Sequence, residues 1–240
     1  MNVIDFIIND KEPVLLNDIF LDEANKSNFE QLIKENTYQE ELRKYGLPVN
    51  NKVLLHGKSG CGKTMSAKAI ANALQKKILI LNLSTIIRSR IGETSQNLKM
   101  IFDKAGKEQA VLFLDEFDQI GKERSTDDKD VGEMRRLVNT LLQLIDYYPE
   151  NAVLIAATNH PELIDQALLR RFQLQLNFEL PSRKILDQYY DKLLSALPAE
   201  VNDIPRKYDL SFAEAKDYAF TLAKGIIIKK LEAEAGIINS

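Results

Sequence analysis

Apolar and polar positions along this chain follow two rhythms. Short, almost wholly apolar runs predict buried strands at residues 52–55 (KVLL), 77–83 (KILILNL), 110–114 (AVLFL), 152–157 (AVLIAA) and 174–178 (LQLNF). Between them, apolar residues recur at steps of three and four. That spacing predicts helices over 65–74, over 95–106 through Leu98, Ile101, Phe102 and Ala105, and over 133–147 through Leu137, Leu141, Leu144 and Ile145. Strands alternating with helices argue for an α/β fold with a parallel five-stranded sheet flanked by helices. Upstream, residues 1–16 read as an irregular arm or an edge strand, and 22–45 as a helical region ending at Gly46-Leu47-Pro48. The polar stretch 121–131 reads as a loop. After Pro181 the pattern is helical alone, over 182–197 and 211–234, the latter opened by a Ser211–Glu214 capping box. The division expected is an α/β domain over 1–180 and a small helical domain over 181–240.

Composition narrows the classes. Apolar residues make up 45% and charged residues 28%, ordinary for a globular protein. The formal charge of −3 lacks the basic excess that a general nucleic-acid grip needs. One cysteine, Cys61, excludes an intrachain disulfide and fits a reducing compartment. No apolar run approaches the roughly 18 residues of a membrane span, and MNVIDFIIND lacks a basic leader region. A cytoplasmic protein without a membrane partner is expected.

Residues 56–64 read HGKSGCGKT, the spacing of a phosphate-binding loop, between a predicted strand and a predicted helix. Gly57, Lys58, Ser59, Gly60, Cys61, Gly62, Lys63, Thr64 and Met65 are the candidate nucleotide-binding residues. Glycines let successive N–H groups converge on phosphate oxygens, and the helix opening at Lys63 adds its positive end. Lys63 would reach the β- and γ-phosphates, and the Thr64 hydroxyl would ligate Mg²⁺. The run at 111–116 ends in Asp115-Glu116. The first acid is placed to help hold Mg²⁺ and the second to polarise an attacking water. Asn159 follows another apolar run and would orient that water. Arg170 and Arg171 follow a short helix, where a guanidinium either stabilises a transferring phosphoryl group or complements the helix dipole. Cys61 reads as a small residue tolerated in the loop, and His56 and His160 have no metal-ligand spacing.

Together these motifs resemble the AAA family, within the wider AAA+ group of P-loop ATPases. GKSGCGKT at 57–64 is similar to Walker A and LDEFD at 114–118 to Walker B. TNHPELIDQALLRRF at 158–172 resembles sensor 1 and the second region of homology, and LSFAEA at 210–215 the lid segment. The resemblance implies ATP and Mg²⁺ as cofactors, with Asp18 and Ile19 in an entry segment beside the adenine. It implies a ring, usually hexameric, in which Arg170 and Arg171 act on a neighbour's nucleotide. It also implies remodelling of a protein substrate or delivery to a partner protein. The central-pore segment would be residues 89–93, where Arg90 stands at the usual aromatic position. Two other readings remain open: an ATPase associated with nucleic acid, mildly favoured by Arg88 and Arg90, and a scaffold whose assembly is gated by nucleotide.

Overall fold

Five apolar runs become five parallel strands, and a sixth short strand joins them. The computed structural model describes residues 6–8, 12–87, 91–120 and 128–234, with the side chains of all except 91–93, 128–131 and 133. In chain order these form β1 (Ile7–Ile8), α1 (Glu23–Thr37), α2 (Gln39–Lys44), β2 (Lys52–Gly57), α3 (Lys63–Ala73), β3 (Ile78–Asn82), α4 (Leu83–Ile87) and α5 (Ile91–Lys107). There follow β4 (Val111–Asp115), α6 (Asp128–Asp146), β5 (Val153–Thr158), α7 (Gln166–Leu169), β6 (Leu174–Phe178), α8 (Arg183–Leu194) and α9 (Phe212–Glu234). Arg88, residues 89 and 90 of the expected pore segment 89–93, and the segment 121–127 lie outside the described residues.

The sheet runs β1-β3-β4-β5-β2-β6, with β1 antiparallel to β3 and every other pair parallel. Of the two readings for the N-terminal arm, the edge strand is the one found. Val53, Leu54 and Leu55 of β2 are fully buried, as are Leu112 to Leu114 and Leu154 to Ala157, so the sheet is covered on both faces. That explains why the runs lack alternation. Because β2, β4 and β5 are parallel, their carboxyl ends share one edge. β5 lies between β4 and β2, so the residue after Thr158 emerges between Asp115 and Gly57. Ligands of open α/β sheets bind at such an edge.

The chain divides into two units. The first comprises Met1–Ile19, Glu23–Gly57 and Lys63–Phe178; the second comprises Phe20–Asp22, Lys58–Gly62 and Glu179–Ser240. The second has its own core of Leu186, Tyr190, Leu194, Val201, Ile204, Ala215, Ala219 and Ala223. The expected capping box opens α9: Ser211 N–H donates to Glu214 Oε2 at 2.8 Å, and Glu214 N–H to Ser211 Oγ at 3.3 Å.

Some boundaries differ from expectation. The helical region expected over 22–45 consists of two helices, α1 and α2, separated at Tyr38. α6 starts at Asp128 rather than 133. α4 was not anticipated: the expected strand ended at Leu83 and residues 84–87 were unassigned, but Asn82 Oδ1 accepts from Ser84 N–H at 2.9 Å where the chain turns into a helix that buries Leu83 and Ile86. Among the described residues, no helix is long and apolar enough to cross a membrane.

Candidate functional site

Lys63, the first residue of α3, is 9% exposed. Its ammonium donates to the carbonyl of Gly57 at 2.9 Å and to Asn159 Oδ1 at 2.7 Å. One cation thereby joins the ends of β2 and β5. Gly57 has φ +122° and faces β6: an added Cβ would lie 2.3 Å from the Phe178 carbonyl oxygen. No other residue type fits there without moving that strand. Thr64 is partly exposed, and its hydroxyl makes no hydrogen bond among the described residues. Met65 is exposed at 43%.

The middle of the loop belongs to the second unit. Gly60, at φ +70°, lies so close to Ser211 that a Cβ would meet its Oγ at 2.7 Å, and its carbonyl accepts from Ala213 N–H at 3.3 Å. Cys61 is buried, its thiol 3.6 Å from the Ser59 carbonyl oxygen. Within this unit, the bond to Gly60 and its close approach to Ser211 join residues 58–62 to the entry of α9. In the same unit Phe20, Tyr189 and Phe212 form an aromatic cluster, with centroids 5.0 to 6.0 Å apart.

At the end of β4, Asp115 Oδ1 accepts from the N–H of Glu116 at 2.9 Å. Burial pushes the Asp115 carboxyl above its usual range; the Glu116 N–H opposes this, the Glu116 and Asp118 charges add to it, and the Lys63 ammonium pulls it back. Lys63 is thus within electrostatic reach of Asp115 as well as bonded to Asn159. Glu116 itself has φ +54°, a left-handed conformation that a residue with a side chain adopts only under constraint. The constraint is visible: Gln119 N–H donates to the Glu116 carbonyl at 2.9 Å, closing the 3-10 turn Phe117–Ile120.

The two arginines are in different situations. Arg171 forks onto Asp146, the last residue of α6, at 3.1 and 3.3 Å, and donates to the Ala167 carbonyl at 2.9 Å. Arg170 is exposed, and its guanidinium has no partner among the described residues. Asp18 accepts from Leu15 N–H at 2.8 Å within the 3-10 turn Leu16–Asp18, which packs beside α3. Ile19 follows in extended conformation.

Asp115 and Thr64 offer a carboxylate and a hydroxyl, hard oxygen donors of the kind Mg²⁺ takes. Among the described residues no three acidic, His or Cys side chains gather into a cage. Two residues that the sequence reading left without a role also belong to this edge. Asp118 and Thr158 are 4% and 2% exposed, and Thr158 Oγ1 donates to Asp118 Oδ1 at 2.9 Å. Both lie inside quoted motifs, which was the available signal.

A family model described as "ATPase family associated with various cellular activities (AAA)" matches residues 53–180. The chain is 35% identical over 217 residues to an AAA family ATPase of Sinorhizobium fredii described as uncharacterized, covering 89% of this chain and 66% of that one. It is also 34% identical over 192 residues to a proteasome-activating nucleotidase of Thermococcus onnurineus, covering 76% of this chain and 48% of that one. The chain therefore spans from about half to just under two thirds of the length of these relatives.

Proposed function

Because this chain belongs to the AAA family of ATPases, we propose that it is a Mg²⁺-dependent ATP hydrolase of the cytoplasm. It assembles into a ring, most naturally a hexamer, and uses turnover to remodel, unfold or disassemble proteins or to deliver them to a partner protein. Residues 1–180 are the nucleotide-binding domain and 181–240 the helical lid domain. The observation that carries the site is the buried Lys63 ammonium bonded to both Gly57 and Asn159. A cation spanning two strand ends at the ligand edge of the sheet is placed to exchange its Gly57 bond for a phosphate oxygen.

In this reading the N–H groups of 57–64 and the opening of α3 receive the phosphates. Asp18 and Ile19 flank the base, and Met65 continues the nucleotide-contacting run. Thr64 Oγ1 and Asp115 would hold Mg²⁺, which when bound neutralises charge on the β- and γ-phosphate oxygens. Glu116 accepts the proton of the attacking water, and Asn159 holds that water in line. Arg170, exposed and unpartnered, reaches the nucleotide of an adjoining copy. Arg171 keeps α7 fixed to α6 so that Arg170 projects correctly. Protein rather than nucleic acid is the favoured substrate, given the net charge of −3 and the name of the Thermococcus relative.

The test is to trap substrates on Glu116→Gln in the presence of ATP and Mg²⁺, identify them, and present each to the native chain. The expected result is ATP-dependent unfolding or release of a trapped protein that Lys63→Ala does not perform. Trapped species consisting only of nucleic acid, released by salt alone, would refute the protein-remodelling reading.

A further inference from the structure

Asp118 follows the Walker B pair by two residues, inside the turn that Gln119 N–H closes onto the Glu116 carbonyl. It is a charged residue only 4% exposed, at the heart of the first unit. Buried carboxylates are retained where they meet specific donors. One donor here is the hydroxyl of Thr158, at 2.9 Å. That hydroxyl in turn accepts from the N–H of His160 at 2.9 Å. Asn159 is therefore held on both sides, at Thr158 and at His160, through one hydroxyl anchored on Asp118.

The position of this link in the sheet gives it meaning. β4 and β5 are paired from Val111↔Val153 to Leu114↔Ala156, and the ladder stops there. Beyond it, β5 continues along β2 alone, where Thr158 pairs with His56. The residues proposed for chemistry, Glu116 and Asn159, both lie past the last β4–β5 rung. Among the described residues the β4–β5 pairing does not continue past Leu114, and the Asp118–Thr158 hydrogen bond spans the gap.

From this geometry we infer that Asp118 and Thr158 are positioning residues: their hydrogen bond sets the distance between the Glu116 turn and Asn159, and so governs hydrolysis rather than nucleotide binding. The inference rests on the roles proposed for Glu116 and Asn159. In the proposed reading the phosphates are held by the loop and Lys63, whereas Asp118 and Thr158 bond to each other and reach Lys63 through Asn159, whose Oδ1 accepts from its ammonium at 2.7 Å. A small displacement of the water-orienting group costs rate far more than affinity; about 1 Å of misplacement is worth up to roughly a hundredfold.

The experiment measures kcat and KM for ATP, the affinity for a fluorescent ATP analogue, and the melting temperature for Thr158→Val, Thr158→Ser and Asp118→Asn, with Glu116→Gln and Asn159→Ala alongside. Thr158→Val is expected to lower kcat roughly ten- to a hundredfold with affinity within about twofold of native. Thr158→Ser, which keeps the hydroxyl, is expected to stay near native kcat. Asp118→Asn retains an acceptor but loses its charge, so its kcat should fall between the two. A folded Thr158→Val with native kcat overturns the inference, as does a serine variant as slow as valine, or affinity that falls in step with kcat. If Thr158→Val does not fold, Asp118→Asn decides: native kcat there refutes the positioning role. Slow Glu116→Gln and Asn159→Ala beside a fast Thr158→Val would sink this inference alone. Native rates in those two variants would instead remove the roles it rests on.

Discussion

On the roles proposed for them, Lys63 and Glu116 are held in place by the fold itself. The Lys63 ammonium makes two charge-assisted hydrogen bonds in a site that excludes most water. Bonds to charged groups contribute about 1.5–3 kcal/mol each, so losing one made to phosphate costs roughly ten- to a hundredfold in affinity. Lys63→Ala should therefore weaken ATP binding by at least about tenfold, read by equilibrium titration with a fluorescent analogue; unchanged affinity would place the nucleotide elsewhere. Glu116 makes a different point, because its φ of +54° is strained for a glutamate. Glu116→Gln keeps that backbone and should abolish hydrolysis with ATP binding and stability unchanged. Glu116→Gly should be equally inactive but more stable, by up to about 1 kcal/mol in urea denaturation, since glycine adopts the left-handed region freely. A glycine variant no more stable than the glutamine one would show that the conformation carries no strain.

At the scale of elements, strands were easier to read than the caps that end helices. The five parallel strands were legible because burial on both faces leaves unbroken apolar runs, as in Val153 to Ala157. β1 has only two residues, Ile7 and Ile8, too few for any pattern. Helix caps show the limit most clearly. α2 ends in Gly46 at φ +69°, with Leu47 N–H bonded to the Leu42 carbonyl, and Gly46 announced it. α3 and α5 end in the same motif, but the left-handed residues are Gln75 and Gln109, with Lys76 N–H reaching Ala71 and Ala110 N–H reaching Ala105. Glutamine carries no stop signal, yet the expected ends at 74 and 106 lie within one residue of the observed Ala73 and Lys107. The phosphate loop, Asp115-Glu116 and Asn159 were legible as motifs; the Asp118–Thr158 bond was not, since it joins residues 40 apart through a strand register.

The helical unit offers a pH test at the same scale. Tyr208 donates to Asp187 Oδ1 at 2.8 Å and Arg206 to the same oxygen at 3.0 Å, and Arg206 also pairs with Asp191. The Tyr208 hydroxyl, followed by the Arg206 guanidinium, holds the Asp187 carboxyl below its usual range. A depressed carboxylate stabilises the fold above its unfolded-state value, about 3.9, and loses that contribution as pH falls through the folded value. Native protein should therefore lose more stability between pH 5 and pH 3 than Asp187→Asn, in melts compared at each pH. Parallel profiles would show that the carboxylate contributes nothing. No comparable loss is expected on the alkaline side from this group, because it is already fully ionised there.

For the whole molecule the decisive question is whether one chain completes its own site. Among the described residues the first unit supplies the cation, the two acids and the amide, yet no guanidinium joins them. Arg171 is committed to Asp146, and Arg170 extends into solvent without a partner. An arginine that stabilises a transferring phosphoryl group is worth roughly 10³–10⁵ in rate, so a lone chain should bind ATP while turning it over slowly. Activity should then rise with protein concentration as assembly proceeds, tracked by sedimentation beside the ATPase rate. Mixing separates assembly from catalysis. In the proposed roles, Arg170→Ala would keep a competent pocket but lack the donor, and Lys63→Ala would keep the donor but lack the pocket. Each alone should be nearly inactive, and an equal mixture should recover part of the native rate, because some interfaces join an intact pocket to an intact Arg170. Arg171→Ala should behave differently: its loss destabilises the α6–α7 junction within its own subunit. Mixed assemblies of Arg170→Ala and Lys63→Ala that form and show no recovery would mean that Arg170 does not act across the interface, and the site would have to be complete within each chain.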